Sequence, residues 1–357
     1  MINSLQAYRF FFVLLILFSH FHWQGTPLSL IGGEYGVSFF FILSGFVLSV
    51  SQGQKVKEGT FNLRQFVTKQ LVKFYPLHIL ILLIYVILDI RDQLGENIIK
   101  ALLNVFMLQS WVLDNTYNFA YNGVTWFLSD IMFFYLLFPW LYRSIMLSGR
   151  KQLATGCTLV GILLMTIVAA TPEVYVNTIL YTFPPVRSIN FAIGILICRF
   201  YKSDFTQSVI SRVNNNDRHL TIALELSAIA IIVTTFVLYR FCPPRIGCMV
   251  FFLLPVSALI YISAITDNSK GLLTRLLHNR QVQTLGTITM EIFMIHMLII
   301  RIFIILRNNH IFTCGLTASV IILLVTTIAA AYTIKKFYAD KIYSIYKNRI
   351  VYHEQNN

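Results

Sequence analysis

Residues 8–23 read YRFFFVLLILFSHFHW, an aromatic and aliphatic run suited to a membrane helix, yet it holds Arg9 and reaches His20 before the apolar stretch ends. A charged side chain at the centre of a membrane helix costs about 2.5–3.5 kcal/mol on insertion scales, so such residues are seldom accidental. At about 100° per residue, the eleven positions from Arg9 to His20 turn three times plus about 20°, which puts both on one face, ~16 Å apart along the axis. His22 points about 200° away from that face, and with Trp23 it reads as an interfacial residue. Two readings of this helix stand side by side. Arg9 snorkels to inner headgroups while His20 bonds a neighbouring helix, or the two form a functional pair.

The chain around this stretch is membrane-like throughout. Of its 357 residues 57% are hydrophobic and 12% charged, with 30 Phe and 18 Tyr available for interfacial belts. Apolar runs of about 20 residues, enough for a ~30 Å hydrocarbon core, recur from end to end. Ten can be read: 5–23, 34–52, 71–90, 124–146, 152–171, 183–202, 219–239, 246–265, 283–306 and 311–335. The segment NIIKALLNVFMLQSWVL (97–113) is interrupted by Lys100 and Asn104 and reads as interfacial or re-entrant. The first run lacks a small-residue cleavage site and reads as a retained span. The fold expected is therefore an all-α polytopic membrane protein of about ten transmembrane helices, with a domain over 1–340 and a short cytoplasmic tail over 341–357.

The net charge of +13 does not point to nucleic acid, because the cations are spread over short loops rather than gathered on one face or arm. Segments 55–73, 143–151, 199–218, 270–280 and 335–349 carry 20 of the 28 Lys and Arg. Alternate loops hold only Arg91, Lys100, Arg240, Arg245 and Arg307. The positive-inside rule then puts both termini in the cytoplasm and 24–33 and 172–182 outside. Cys242 and Cys248 flank PPRIG and could bridge in an oxidising compartment; the five cysteines show no metal-ligand spacing, and no metal is expected.

Further motifs follow in order: GVSFFFILSGF (36–46), KQLVKFYP (69–76), WFLSDI (126–131), FPPVR (183–187) and GTITMEIFMIH (286–296). With Arg9 and His20 ahead of them, these resemble the acyltransferase-3 family of bacterial inner-membrane proteins over nearly the whole chain. Members transfer acyl groups, usually acetyl, to surface or exported carbohydrates. The resemblance implies His20 as the catalytic residue with Arg9, and a donor-binding cluster at the start of the third span, here Lys69, Lys73 and Tyr75. It departs from the usual pair of arginines three apart, since only Lys73 occupies the second arginine's place, and lysine lacks bidentate phosphate recognition. Asp130 in WFLSDI stands one position before the carboxylate some members carry, so no role is transferred to it. The hydrolase-like extracytoplasmic domain of larger members is not expected within these 357 residues.

The resemblance implies acetyl-coenzyme A as donor substrate, with no bound cofactor, and a polysaccharide or lipid-linked saccharide as acceptor. Lys69, Lys73 and Arg9 would take the phosphates as point charges. The pantetheine arm would run along the Arg9–His20 face toward an imidazole whose ordinary pKa of about 6.5 suits general-base work. His20 could equally carry the acyl group itself.

Ser44 and Gly45 serve either close helix packing or a ligand contact. Arg187 is either an interfacial anchor or a binder of a polar acceptor. His296, Glu291 and Arg301 form either a buried polar set or bonds to neighbouring helices, and His78 alone reads as interfacial. A carrier or flippase for lipid-linked saccharides is the rival from another class, and an envelope scaffold or sensor a third; the hydropathy shows no inverted symmetry of the halves.

Overall fold

The computed structural model describes residues 2–21, 32–92, 97–311 and 314–355, and among them every regular element is helical. His22, Trp23 and most of the expected outer loop 24–33 lie outside the described residues. Twelve principal helices organise the chain. They are α1 (Asn3–Ser19), α2 (Gly33–Glu58), α3 (Leu63–Asp92), α4 (Ile98–Val105), α5 (Trp126–Met146) and α6 (Arg150–Ala170), followed by α7 (Pro184–Tyr201), α8 (Arg218–Tyr239), α9 (Val250–Thr266), α10 (Thr289–Asn308), α11 (Leu316–Ile334) and α12 (Asp340–Gln355).

Among the described residues, each of the ten expected apolar segments is mainly helical, with 283–306 divided between Arg280–Thr287 and Thr289–Asn308. Seven helices among the described residues are long and apolar enough to cross a membrane, eight if the pair Glu173–Tyr181 and Pro184–Tyr201, bent by 47°, is one span. The 17-residue α1 is apolar but shorter. Segment 97–113 breaks up into the eight-residue α4 and a single 3₁₀ turn at Gln109–Trp111. At 1.5 Å per residue α4 is about 12 Å long and cannot cross.

The centre of the bundle is α2, packed by α1, α5, α7 and α9. The apolar stretch of α2 is 67% buried, against 11% for α6 and 22% for α8, so those two lie on the rim of the bundle. Small residues set the tightest crossing. A Cβ on Gly45 would overlap the Phe191 carbonyl, and one on Gly194 would overlap the Ile42 carbonyl, so α2 and α7 meet backbone to backbone. Gly59 ends α2 with φ +77°, a left-handed cap that a residue with a side chain disfavours, and its amide closes on Lys55 and Val56. Phe41 stacks on Phe127 at 4.5 Å and meets Phe134 edge-on at 4.9 Å, which fills the space between α2 and α5.

Two further features complete the fold. Next to the stretch expected as a short tail, a π-helical turn at Lys335–Ala339 links α11 to α12, which packs on α3. Cys242 and Cys248 are free thiols, as are the other three cysteines. Their sulfhydryls face the carbonyls of Pro243 and Arg245, respectively.

Candidate active site

The site is built on α1. Its first turn has no side-chain cap of its own; instead the Asp267 carboxylate accepts from the Asn3 amide (3.1 Å) and the Ser4 amide (2.8 Å). A carboxylate at a helix N-terminus satisfies orphan amides and opposes the positive end of the dipole. His278 holds the same carboxylate at 3.0 Å. Gly286 lies so close to the Gln6 carbonyl that any side chain there would collide with it. These contacts fix the register in which Arg9 and His20 are presented.

Arg9 lies on the wall of a cavity of about 1130 Å³ at the end of the bundle where α1 begins. Its Nη1 donates to Gln6 Oε1 at 3.1 Å. The same cavity receives Lys55 from α2, Lys69 and Lys73 from α3, and Lys347 from α12; with Arg9 that makes five cations against one lining carboxylate, Asp267. Ser44 also lines it, its hydroxyl donating back to Phe40 O at 2.7 Å, while the adjacent Gly45 serves the α2–α7 crossing. Ser44 thus faces the cavity, and Gly45 faces the neighbouring helix. Tyr75, expected beside the lysines, is placed elsewhere. Its hydroxyl donates to Val105 O at 3.0 Å and ties α3 to α4. His78 is likewise not interfacial: it is buried, with Nε2 2.9 Å from Asn104 O.

His20 stands at the far end of α1, as the residue that closes the helix rather than as a member of it. It is not in the basic cavity. Its ring meets His296 of α10, centroids 5.2 Å apart and Nε2 of His296 3.4 Å from Nδ1 of His20. The surrounding acceptors assign both tautomers. His296 Nδ1 faces the carbonyls of Phe293 (2.8 Å) and Ile292 (3.2 Å), so it carries the proton and leaves a lone pair on Nε2. His20 Nδ1 faces Ile16 O at 2.8 Å and that lone pair, so it too is the protonated nitrogen. The basic lone pair of a neutral His20 is therefore on Nε2. His296 is fully buried, and its helix is held further by Asn122, whose Nδ2 donates to Met294 O at 2.9 Å. Phe293 packs on Phe127 at 5.1 Å beside the pair.

Glu291 lies in the first turn of α10 and is buried, with Oε2 lacking a hydrogen-bond partner and with Arg9 and Lys335 as its cationic neighbours. Arg187 is no interfacial anchor: it is wholly buried, donates toward Cys248 O (3.3 Å) and Ser38 Oγ (3.5 Å), and lies over the rings of Phe41 (5.0 Å) and Tyr181 (5.7 Å). Asp130 is also wholly buried, with one oxygen accepting from Ser110 Oγ at 2.9 Å. The structure thus joins His20 to His296 at one level and Arg9, Lys69, Lys73 and Ser44 at another. It keeps Arg187 and Tyr75 out of both. Lys55 and Lys347 were not singled out in the sequence, where they read as loop and tail cations.

The model of the acyltransferase domain family matches residues 2–336. The chain belongs to the acyltransferase-3 family. The curated acyltransferase MdmB of Streptomyces mycarofaciens is 30% identical over 221 residues, which covers 54% of this chain and 56% of that protein. The chain spans about half the length of the curated relative it matches. No solved structure matches. The matched range takes in both histidines, Arg9 and the lysines of α2 and α3, and it stops within the π-helical turn before α12.

Proposed function

We propose that this protein is a multi-pass bacterial inner-membrane O-acyltransferase that moves an acetyl group from cytoplasmic acetyl-coenzyme A to a hydroxyl of an exported or cell-surface saccharide. The family match supports acyl transfer. The single observation that carries the mechanism is the His20–His296 pair, set above a basic cavity on the same helix as Arg9.

The phosphates of the donor bind Arg9, Lys69 and Lys73, and the pantetheine arm carries the thioester up the α1 face toward His20. There Nε2 takes the proton of the acceptor hydroxyl as its oxygen attacks the thioester carbonyl. The C–S bond breaks, the coenzyme leaves as a thiolate and takes up that proton, and the ester remains on the acceptor. A covalent variant has Nε2 attack first and pass the acetyl group on. In either course a positive imidazole forms, and Ile16 O and His296 Nε2 accept from its Nδ1–H. A fixed acceptor on the far nitrogen raises the basicity of the near one and holds the ring in place.

The substrate side rests on the cavity's charge, five cations to one carboxylate. A contact with a donor phosphate acts on ground and transition states alike. Lys73→Ala is therefore expected to raise KM for acetyl-coenzyme A about 10-fold with kcat little changed, and Lys73→Arg to keep most of the function. Steady-state transfer in purified membranes with varied donor checks this; an unchanged KM places the phosphates elsewhere.

The orientation follows from the 20-to-5 cation bias. Activity reporters fused after residue 60 and residue 210 are expected to report cytoplasm, and a fusion after residue 178 to report the outer side. The reverse pattern would separate the basic cavity from its cytoplasmic donor. Radiolabelled acetyl-coenzyme A, incubated with membranes and the cell's lipid-linked saccharide fraction, tests the reading as a whole. Label recovered in an ester supports it. Saccharide translocation without label transfer would favour a carrier.

A further inference from the structure

We infer that α12 is the nucleotide-recognition wall of the basic cavity: Tyr343 and Tyr346 take the adenine ring of an acyl-coenzyme A donor, and Lys347 joins Lys69 and Lys73 at its phosphates. This rests on the reading of the cavity as the donor site, and it assigns a part of that site outside the range the family model matches.

The first observation is length. The apolar helix that begins at Leu316 runs to Asn348 as a 33-residue rod. At 1.5 Å per residue this is about 50 Å, against a hydrocarbon core of ~30 Å, so its last third stands clear of the bilayer. The composition changes at that point: the π-helical turn at Lys335–Ala339 begins with two lysines and α12 carries Lys341 and Lys347. A π turn inserts one extra residue per turn and re-aims the side chains that follow it. Tyr338 fixes the turn, its hydroxyl donating to Pro76 O at 3.2 Å.

The second observation is where this re-aiming leads. Tyr343, Tyr346 and Lys347 all line the cavity that holds Arg9, Lys69 and Lys73. Lys73 Nζ sits over the Tyr343 ring at 5.8 Å, so cation and π face already share one spot. The two tyrosine rings are 6.5 Å apart and inclined by 37°, both half-buried rather than packed away. Lysines alone would suit any phosphate, including a lipid headgroup. Aromatic faces interleaved with them suit a phosphate chain that ends in a base, because stacking needs a planar partner. A headgroup provides none. The cavity's volume of about 1130 Å³ is large for an inorganic anion and suits an extended nucleotide.

The test uses the full chain in neutral phosphatidylcholine nanodiscs with coenzyme A as the probe, followed by calorimetry. Wild type is expected to bind. Tyr343→Ala and Tyr346→Ala are each expected to raise Kd about 10-fold, the size of a lost base–aromatic stack, and Tyr343→Phe to bind as wild type does. Should Tyr343→Ala lower the yield, Tyr343→Leu keeps apolar bulk and removes the π face. Adenosine 3′,5′-bisphosphate is expected to compete in wild type and to lose that competition in the tyrosine variants. Wild-type affinity in Tyr343→Leu and Tyr346→Ala overturns the inference while leaving the donor reading intact. Absence of coenzyme A binding by wild type, with α12 lysines instead promoting association with anionic vesicles, overturns both and assigns the helix to lipid headgroups.

Discussion

His20→Ala is expected to abolish acyl transfer while the protein inserts and accumulates as wild type does. Loss of a general base commonly costs 10²–10⁴ in rate, and loss of a covalent relay more. The structural setting sharpens the expectation. His20 closes α1 after its last turn, so its removal leaves the helix hydrogen bonds of Asn3–Ser19 in place. Of its polar neighbours, Ile16 O still accepts from Ser19 Oγ at 2.8 Å and His296 retains both carbonyls on Nδ1, while His296 Nε2 loses the His20 donor. One weak buried acceptor left unpaired costs some stability but not the fold. The check is transfer rate at matched membrane abundance, together with the thermal midpoint of the purified protein. A folded, abundant protein with a modestly lowered midpoint and no transfer is the expected pair of results. Full transfer would end the catalytic reading.

His296→Ala is expected to lower kcat about 100-fold with KM for the donor unchanged, a loss typical of a reacting group held in the wrong geometry. In the proposed mechanism His296 is a positioning residue: together with Ile16 O, its Nε2 accepts from the His20 Nδ1–H as charge builds on the ring. His296→Gln is expected to recover part of the loss, since a glutamine oxygen can reach the place of Nε2 as an acceptor. The split between kcat and KM separates this role from packing. A change in yield alone, with kcat per folded protein unchanged, would reduce His296 to a packing residue.

These two residues show what the linear chain reveals and what it withholds. Arg9 and His20 were legible because helical periodicity relates positions eleven apart. The periodicity did not reveal that α1 ends at Ser19, with His20 as the residue that closes it. The partner at His296 is 276 residues away, and only the three-dimensional packing of α1 beside α10 brings the rings together. Tyr75 shows the opposite error. Adjacency to Lys73 suggested a shared task, but two residues on a helix turn the side chain by about 200°, and Tyr75 reaches Val105 instead.

Arg187 was read by its position near a span end, where snorkelling is ordinary. The 47° bend before it folds Tyr181 over the guanidinium and buries it. The basic cavity was partly legible. Lys69 and Lys73 stand in one motif, whereas Lys55 and Lys347 enter from helices nearly 300 residues apart in sequence. The tail illustrates the limit of composition as a guide. A charged, polar stretch after the last apolar run reads as solvated, and nothing in that pattern tells whether it turns away or continues the helix. Here it continues, because α11 passes into α12 through Lys335–Ala339 without a breaking Gly or Pro.

The central proposal, that His20 at the end of α1, positioned by His296 of α10, performs acyl transfer from a donor held in the basic cavity, is tested most directly by following label from one defined donor. Membranes bearing wild type, His20→Ala or His296→Ala at equal abundance are incubated with [1-¹⁴C]acetyl-coenzyme A and the cell's saccharide fraction, and label in alkali- and hydroxylamine-labile ester is counted. The account predicts labelled ester with wild type, none above background with His20→Ala, and a residue of about one hundredth with His296→Ala. Equal labelling by wild type and His20→Ala would contradict it.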